Sequence, residues 1–370
     1  MTDELYRMGR IDGPGADLTH REITKRFFQY SSFFWIGPTR RIAWSFTLIL
    51  LVIILSLVGT AVGINRWLGN FFNALENKNS QLIFSQLWGI LLLGMASAVL
   101  YGLWTFLGDR MKVAWREFMT DRLINKWLES DHQKHHSQRL AEEIDSPEFR
   151  IAEDVRMSID PVVDLATTFL NALGSAFVFV ALLWKIGGSI TLFKGIILPG
   201  YMMWLAIVYA IVCSVIIRSI GDPIVRLTER KNASEAKLRG DMVRYGELPV
   251  LTSENFGNLK HRRIIKTDMD VLFSRWRRLA IYSGQVGALT QFNIVFMPIV
   301  PLLAVAPKYF DGDITLGAVV QVSTAFVSVQ LALNWYFDHF YIIVNWLSNA
   351  QRVVTLIEAL EDHGLEGELK

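Results

Sequence analysis

The 370-residue sequence is 52% hydrophobic and 19% charged, with a formal net charge of +2, against the roughly 25% charge typical of soluble domains. Six windows carry no Asp, Glu, Lys or Arg: 42–65, 79–108, 165–184, 195–217, 279–307 and 314–337. Each reaches the about 20 apolar residues that a helix needs to cross bilayer hydrocarbon. That excludes a soluble globular enzyme, a disordered chain and a disulfide-stapled secreted domain.

In chain order, the first 41 residues lack the short apolar core of a cleaved signal peptide. Membrane entry is therefore expected to be led by the helix at 42–65. Within that arm, residues 21–36 set Phe27, Phe28, Tyr30, Phe33, Phe34 and Trp35 beside Arg21, Lys25 and Arg26. The mixture predicts a helix lying in the interface plane, with an ordinary juxtamembrane arm as the alternative. No breaker separates window 79–108 from 109–130, where Met111, Trp115, Phe118 or Met119, and Leu123 keep amphipathic helical spacing. The second helix is thus expected to run several turns beyond the membrane, and 218–245 to extend the fourth likewise. Pro298 and Pro301 fall inside the fifth window and predict a kink, which neighbouring helices can tolerate by satisfying the freed carbonyls. The division expected is an arm over 1–41, a six-helix membrane domain over 42–350 and a polar C-terminal tail over 351–370.

Charge assigns orientation. If the arm is cytoplasmic, the inside segments hold 32 Lys and Arg and the outside ones 5, the bias expected of cytoplasmic loops. Both termini are then inside. The two long inside segments also carry 21 acidic residues against 23 basic ones, a balance that argues against a nucleic-acid surface.

Catalytic motifs are missing. No lysine follows a glycine, so there is no phosphate-cradling Walker A loop. His132, His135 and His136 have helical metal-ligand spacing, but the end of a solvated helix is the simpler reading, and no metal or cofactor is expected. Cys213 is the single cysteine; it cannot form an intrachain disulfide and reads as a small residue at a helix contact. With no nucleophile or acid–base constellation, the chain is not expected to be an enzyme. Asp338 and His339 stand alone between charge-free 314–337 and 340–351. An ionisable residue so placed is a functional candidate, and about 20 residues after Ile314 put Asp338 near the inner boundary.

Four strings, INRWLGNFFNALENKN, SPEFRIAEDVR, LPGYMMWLAIVYA and APKYFDGDITLGAVVQVSTAFVSVQLALNW, occur in this order between about residues 20 and 360. As a set they resemble the membrane region of the SbmA/BacA-like transporters and of their ATP-driven relatives, the bacterial half-transporters and peroxisomal fatty-acyl ABC transporters. The resemblance implies an all-α membrane protein of ABC-exporter type, with six transmembrane helices and long cytoplasmic helix extensions, working as a homodimer in the bacterial inner membrane. It implies bulky cargo such as peptides, including antimicrobial peptides. The sequence ends at Lys370 without a nucleotide-binding domain, which favours the proton-driven branch. That branch usually carries an extra N-terminal membrane helix, which this sequence lacks. A permease served by a separate nucleotide-binding subunit is the alternative, and a non-transporting membrane scaffold the third reading.

Proton coupling requires carboxylates whose environment changes during the cycle, because desolvation raises their pKa. By the resemblance, Glu153 and Asp154 match the family's acidic pair, and their adjacency points them to different helix faces. Glu235 matches an E-A-x-x-R element with Arg239 as its expected helical partner. Glu247 sits where the peptide-transporting branch has a glutamate, although its surroundings depart from the ABC-type pattern. Asp338 completes the coupling candidates. Asn65, Arg66 and Asn73 match the string after the first helix and are expected to shape an outer gate or cap helices.

Overall fold

The computed structural model describes residues 19–131, 147–192, 196–246 and 255–368. Two short helices, α1 (His20–Ser31) and α2 (Phe33–Ile36), lead into α3 (Arg40–Glu76) and α4 (Ser80–Asp131). A three-residue turn of helix, α5 (Pro147–Phe149), enters a π-helical turn at Arg150–Asp154 and continues as α6 (Val155–Gly187). A hairpin of β1 (Ser189–Leu192) and β2 (Ile196–Pro199) follows, then α7 (Tyr201–Gly246), α8 (Asn255–Phe296), α9 (Ile299–Phe310) and α10 (Leu316–Glu368). Five helical stretches among the described residues are long and apolar enough to cross a membrane: Arg40–Glu76, Ser80–Leu128, Pro147–Gly187, Arg262–Phe310 and Leu316–Leu360.

The fourth window departs from the expectation. Residues 196–199 pair antiparallel with 189–192, with Ser189 opposite Pro199, so the helix starts at Tyr201 and only 201–217 of the charge-free window belong to it. Positive φ at Gly188 and Gly200 closes the hairpin, and a Cβ on Gly200 would lie 2.2 Å from the Trp184 ring. Alternation of Ile190, Leu192, Ile196 and Leu198 is visible in the sequence, but a continuous apolar run does not distinguish strand from helix by periodicity.

The fifth window is broken as the prolines require. Helix α8 stops at Phe296 and α9 resumes at Ile299, because Pro298 and Pro301 remove two amide donors from the helical ladder. The sixth helix overruns its window by far. Helix α10 is 53 residues long, so the expected boundary at 350/351 falls inside a continuous helix whose Val353, Val354, Leu356, Ile357 and Leu360 are buried. Charge marked the end of the apolar stretch, not the end of the helix.

The chain divides into two compact units. The first comprises Met1–Leu182, Thr315–Gln321 and Leu331–Lys370. Its core joins Phe34, Met111, Trp115, Met119 and Leu123 to Ile151, Val155, Ile159 and the α10 residues Val353, Leu356 and Ile357. A second cluster packs Ile23 and Phe27 of α1 on Trp346, Ala350 and Val354. The aromatic arm therefore spends one face on the protein itself, each fully buried phenylalanine contributing about 1.5–3 kcal/mol. Its other face leaves Phe28, Phe33 and Ile36 exposed. A capping box starts it, with Thr19 Oγ1 accepting from the Glu22 amide and Glu22 accepting from the Thr19 amide.

The second unit comprises Leu183–Ile314 and Val322–Gln330. Here α7 and α8 form a long antiparallel pair. Asn293 Oδ1 accepts from Tyr209 Oη at 2.5 Å and from Cys213 Sγ at 3.4 Å, so Cys213 sits at a helix contact, and a polar one. Gln330 donates to the Ala206 carbonyl at 2.7 Å, and Ser323 to that of Pro298 at 3.0 Å. Apolar helices are thus joined by side-chain amides and hydroxyls, as expected where water is scarce.

Candidate functional site

Two of the strings singled out in the sequence meet α10, at opposite ends and within the first unit. The first lies where α3 turns into α4. The first four amides of any helix lack intrahelical acceptors. At the start of α10, Leu316 N donates to Glu76 Oε2 at 3.0 Å and Gly317 N to Asn73 Oδ1 at 2.8 Å. Ala318 N finds Thr315 Oγ1 at 3.3 Å. One turn on, Asn65 Nδ2 donates to the Gln321 carbonyl at 3.0 Å, and Gln321 Nε2 reaches the Arg66 carbonyl at 3.5 Å. The helices approach closely enough that a Cβ on Gly317 would lie 2.0 Å from the Gly69 oxygen. Asn65 is buried and donates to a carbonyl inside α10; Asn73 caps its first turn; Arg66 contributes its backbone while its side chain is exposed. Thus the asparagines of this string hold the start of α10.

The second string forms the π turn and the beginning of α6. π turns recur at functional sites because they rotate side chains out of helical register. Asp154, 2% exposed, accepts from Arg352 Nε at 3.0 Å. Its neighbour Glu153 turns the other way and pairs with Arg156, whose Nε lies 3.1 Å from Oε2. Arg156 also approaches Asp160 at 3.7 Å. Arg150 reaches Thr355 Oγ1 at 3.3 Å, and Trp346 Nε1 donates to the Ser158 carbonyl at 2.9 Å. Arg26 of α1 pairs with Glu358. From α4, Arg116 donates to the Ala152 carbonyl at 3.1 Å and Lys112 pairs with Asp164 at 2.7 Å.

Electrostatics at this end follows from those pairings. The Arg156 guanidinium holds the Glu153 carboxyl below the usual carboxylate range, and Glu153 raises Arg156 in turn. Burial pushes the Asp160 carboxyl up, partly offset by Lys112, Arg156 and Arg116. The pair expected to sit on different helix faces does so, and both members meet arginines.

Glu235 lies in the second unit. Its expected partner Arg239 is exposed; the cation at Glu235 is Lys231, 3.3 Å away and one turn earlier. Trp276 Nε1 also donates to Glu235 at 3.3 Å, and Lys231 stands over the Trp276 ring at 4.8 Å. That aromatic contact draws Lys231, which explains the direction of the pair. Beside it, Lys237 pairs with Asp268 at 2.6 Å, and that carboxylate raises the Lys237 pKa. Asp338 is exposed on α10. Glu247, like His132, His135 and His136, lies outside the described residues, among which no metal-binding group of His, Cys, Asp or Glu occurs.

Sequence reasoning missed the basic halves of these pairs. Arg352 had a visible signal, being the first cation after the charge-free stretch 340–351. Arg156 stands three residues beyond Glu153, a helical neighbour. Gln321 had none, because a glutamine in an apolar helix names no partner.

Residues 35–248 match the family model for ABC transporter transmembrane region 2. The chain belongs to that family. It is a multi-pass membrane protein of the ABC-transporter type, and the resemblance read from the four strings is correct at this level. Similar curated proteins include the inner membrane ABC transporter ATP-binding protein YddA of Escherichia coli (strain K12), 25% identical over 86% of this chain and 58% of the relative. An uncharacterized ABC transporter ATP-binding protein of Synechocystis is 23% identical over 84% of the chain and 46% of its own length. ABC transporter D family member 2 of Arabidopsis thaliana, a chloroplastic protein, is 22% identical over 83% and 41%. The chain therefore spans about half the length of the curated relatives it matches.

Proposed function

We propose that this chain forms the translocation pathway of a homodimeric ABC-type transporter for peptides or similarly bulky cargo in the bacterial inner membrane, with both termini cytoplasmic. The observation that carries the reading is the double hold on α10. Two family strings grip one 53-residue helix at both ends, which makes it a strut able to carry a displacement from its cytoplasmic end to its outer end. Long helices that continue past their apolar windows serve the same purpose. The two long cytoplasmic segments are opposite in charge, 109–164 with 13 acidic and 9 basic residues, 218–278 with 8 and 14. That complementarity supports pairing between two copies. The apolar window of α4 buries none of its residues, leaving it for lipid or the second copy.

ATP hydrolysis by a nucleotide-binding subunit or domain is the drive this reading takes first, since the relatives are named ATP-binding proteins. The chain's own task is then transport, not catalysis. The proton-driven alternative loses ground because Glu153, Asp154 and Glu235 each meet a cation, and the Arg156 guanidinium holds the Glu153 carboxyl below the usual carboxylate range. What favours it is Asp160, raised by burial. Proteoliposomes separate the two drives. Uptake of a labelled peptide that requires ATP and a nucleotide-binding partner supports the first; uptake driven by a pH gradient alone, and lost in Asp160→Asn, supports the second. No uptake under either condition would leave a scaffold.

A further inference from the structure

The arm, α4 and α10 meet at a cleft that none of the four strings forms. It is lined by Tyr30 of α1, by Met119, Arg122, Leu123 and Lys126 of α4, and by Ile357 of α10, all within the first unit. Its floor is apolar, since Met119, Leu123 and Ile357 are buried. Its rim is cationic. Arg122 and Lys126 stand four residues apart on one helix face, both half-buried, and like charges at that spacing repel each other.

Arg122 is placed for an anion. Its neighbours one turn away are Phe118, Met119, Asn125 and Lys126, none of them acidic. Among the described residues no carboxylate forms an ion pair with it. Asp121 accepts from Asn125 Nδ2 at 3.4 Å, and Glu358, next to Ile357 on α10, is engaged by Arg26. The Arg122 guanidinium stands over the Phe33 ring, 4.3 Å from its centroid. That contact takes one face of the guanidinium and leaves its N–H edges, the fork that matches phosphate oxygens. Helical side chains tilt toward the helix N-terminus, so both cations lean back toward the apolar window of α4.

The chain itself fixes the depth of the cleft. Helix α2 ends at Ile36 and the charge-free window of α3 opens at residue 42, so Phe33 lies at the edge of the apolar span. Phe28 and Phe33 are exposed, Ile36 is 68% exposed, and the apolar surface continues into Ile42 and Trp44. Water satisfies the cations but not this surface, and free phosphate gains nothing from it. A second copy would have to bring carboxylates, whereas the segment that complements 109–164 is the basic 218–278. We propose that the cleft holds the headgroup of an anionic phospholipid. Its phosphate pairs with Arg122 and Lys126, and its acyl chains run over Phe33 and Ile36 toward the apolar window. The lipid thereby ties the arm to α4. Neither cargo nor drive enters the proposal.

Native mass spectrometry of the full chain in detergent tests it, with phosphatidylglycerol and phosphatidylcholine of the same acyl chains as probes. The first phosphatidylglycerol is expected to bind about tenfold more tightly than phosphatidylcholine. Arg122→Gln combined with Lys126→Gln should abolish that preference. Arg40→Gln combined with Arg41→Gln, which removes the same charge at the same boundary, should keep it. Equal binding of the two lipids by the unaltered chain overturns the proposal, and so does a preference that survives in the cleft variant. Equal loss in both variants would reveal diffuse attraction to basic charge, and displacement of the lipid by millimolar inorganic phosphate a free-anion site; either result also overturns it. A second measurement leaves both cations in place. With benzoylphenylalanine substituted for Phe33, light should crosslink phosphatidylglycerol in preference to phosphatidylcholine, and crosslinking without that preference counts against the site.

Discussion

The two ends of α10 are held by the same unit with different chemistry. At the α3–α4 turn the hold is made of amides, hydroxyls and close backbone contact: Asn65, Asn73, Thr315 and the meeting of Gly69 with Gly317, with Glu76 as the single carboxylate. At the α1 end it is made largely of ion pairs, Asp154 with Arg352 and Arg26 with Glu358, alongside the indole bond of Trp346. Neutral hydrogen bonds ask for exact placement and little desolvation. Ion pairs act over longer range and cost more to bury, so they tolerate movement better when partly wet. A strut fastened this way is expected to be rigid at the turn end and adjustable at the arm end.

The largest effect should come from stranding the buried charge. Removing one partner of a buried pair costs about 3–5 kcal/mol, and because Arg352 is itself partly exposed, water recovers some of it, leaving about 2–3 kcal/mol for Arg352→Ala. Thermal unfolding of the purified chain in detergent measures this. The double variant Asp154→Asn with Arg352→Ala should recover part of the loss; if it melts as low as the single variant, the damage is lost packing and the contrast between the ends weakens. At the turn end, Gly317→Ala forces a Cβ toward the Gly69 oxygen and Asn73, and overpacking of that kind costs about 1–3 kcal/mol. Asn73→Ala removes a single cap, worth about 1 kcal/mol. Added salt should leave the Asn73→Ala difference unchanged while narrowing that of Arg352→Ala, since screening reaches exposed charge.

Much of this arrangement was legible beforehand, and the limits have physical causes. Charge-free length found the five membrane-length helices among the described residues, and helical spacing found the buried face Met111, Trp115, Met119 and Leu123. The string containing Asn65 and Asn73 marked the turn-end hold, because an asparagine beside a helix start has a capping use, which Asn73 fulfils. Boundaries failed where composition and backbone part company. The residues 196–199 are apolar and extended, and α10 continues past 350 on buried Val353, Val354 and Leu356. Partners failed where charge offers several choices: Glu235 has basic residues four positions on either side, and only the ring of Trp276, far away in sequence, settles on Lys231.

The smallest effects are those of acid, and they should fall on one end. Glu22 and Glu153 are both held below the ordinary carboxylate range in the folded chain. The Thr19 amide and hydroxyl lower Glu22, and Arg156 lowers Glu153. A carboxyl whose folded pKa is depressed contributes stability in full above its unfolded value, about 4.3, and loses it as pH falls through the folded value. Both groups belong to the arm end, Glu22 capping the helix whose Ile23 and Phe27 pack on α10, Glu153 within the π turn. The melting difference between the unaltered chain and Glu22→Ala or Glu153→Ala should therefore be present at pH 7 and shrink as the medium is taken below about pH 4. The difference for Asn73→Ala should stay constant over the same range, because an amide does not titrate. If all three variants converge in acid, both ends loosen together, and the helix is a single cooperative element without a rigid and an adjustable end.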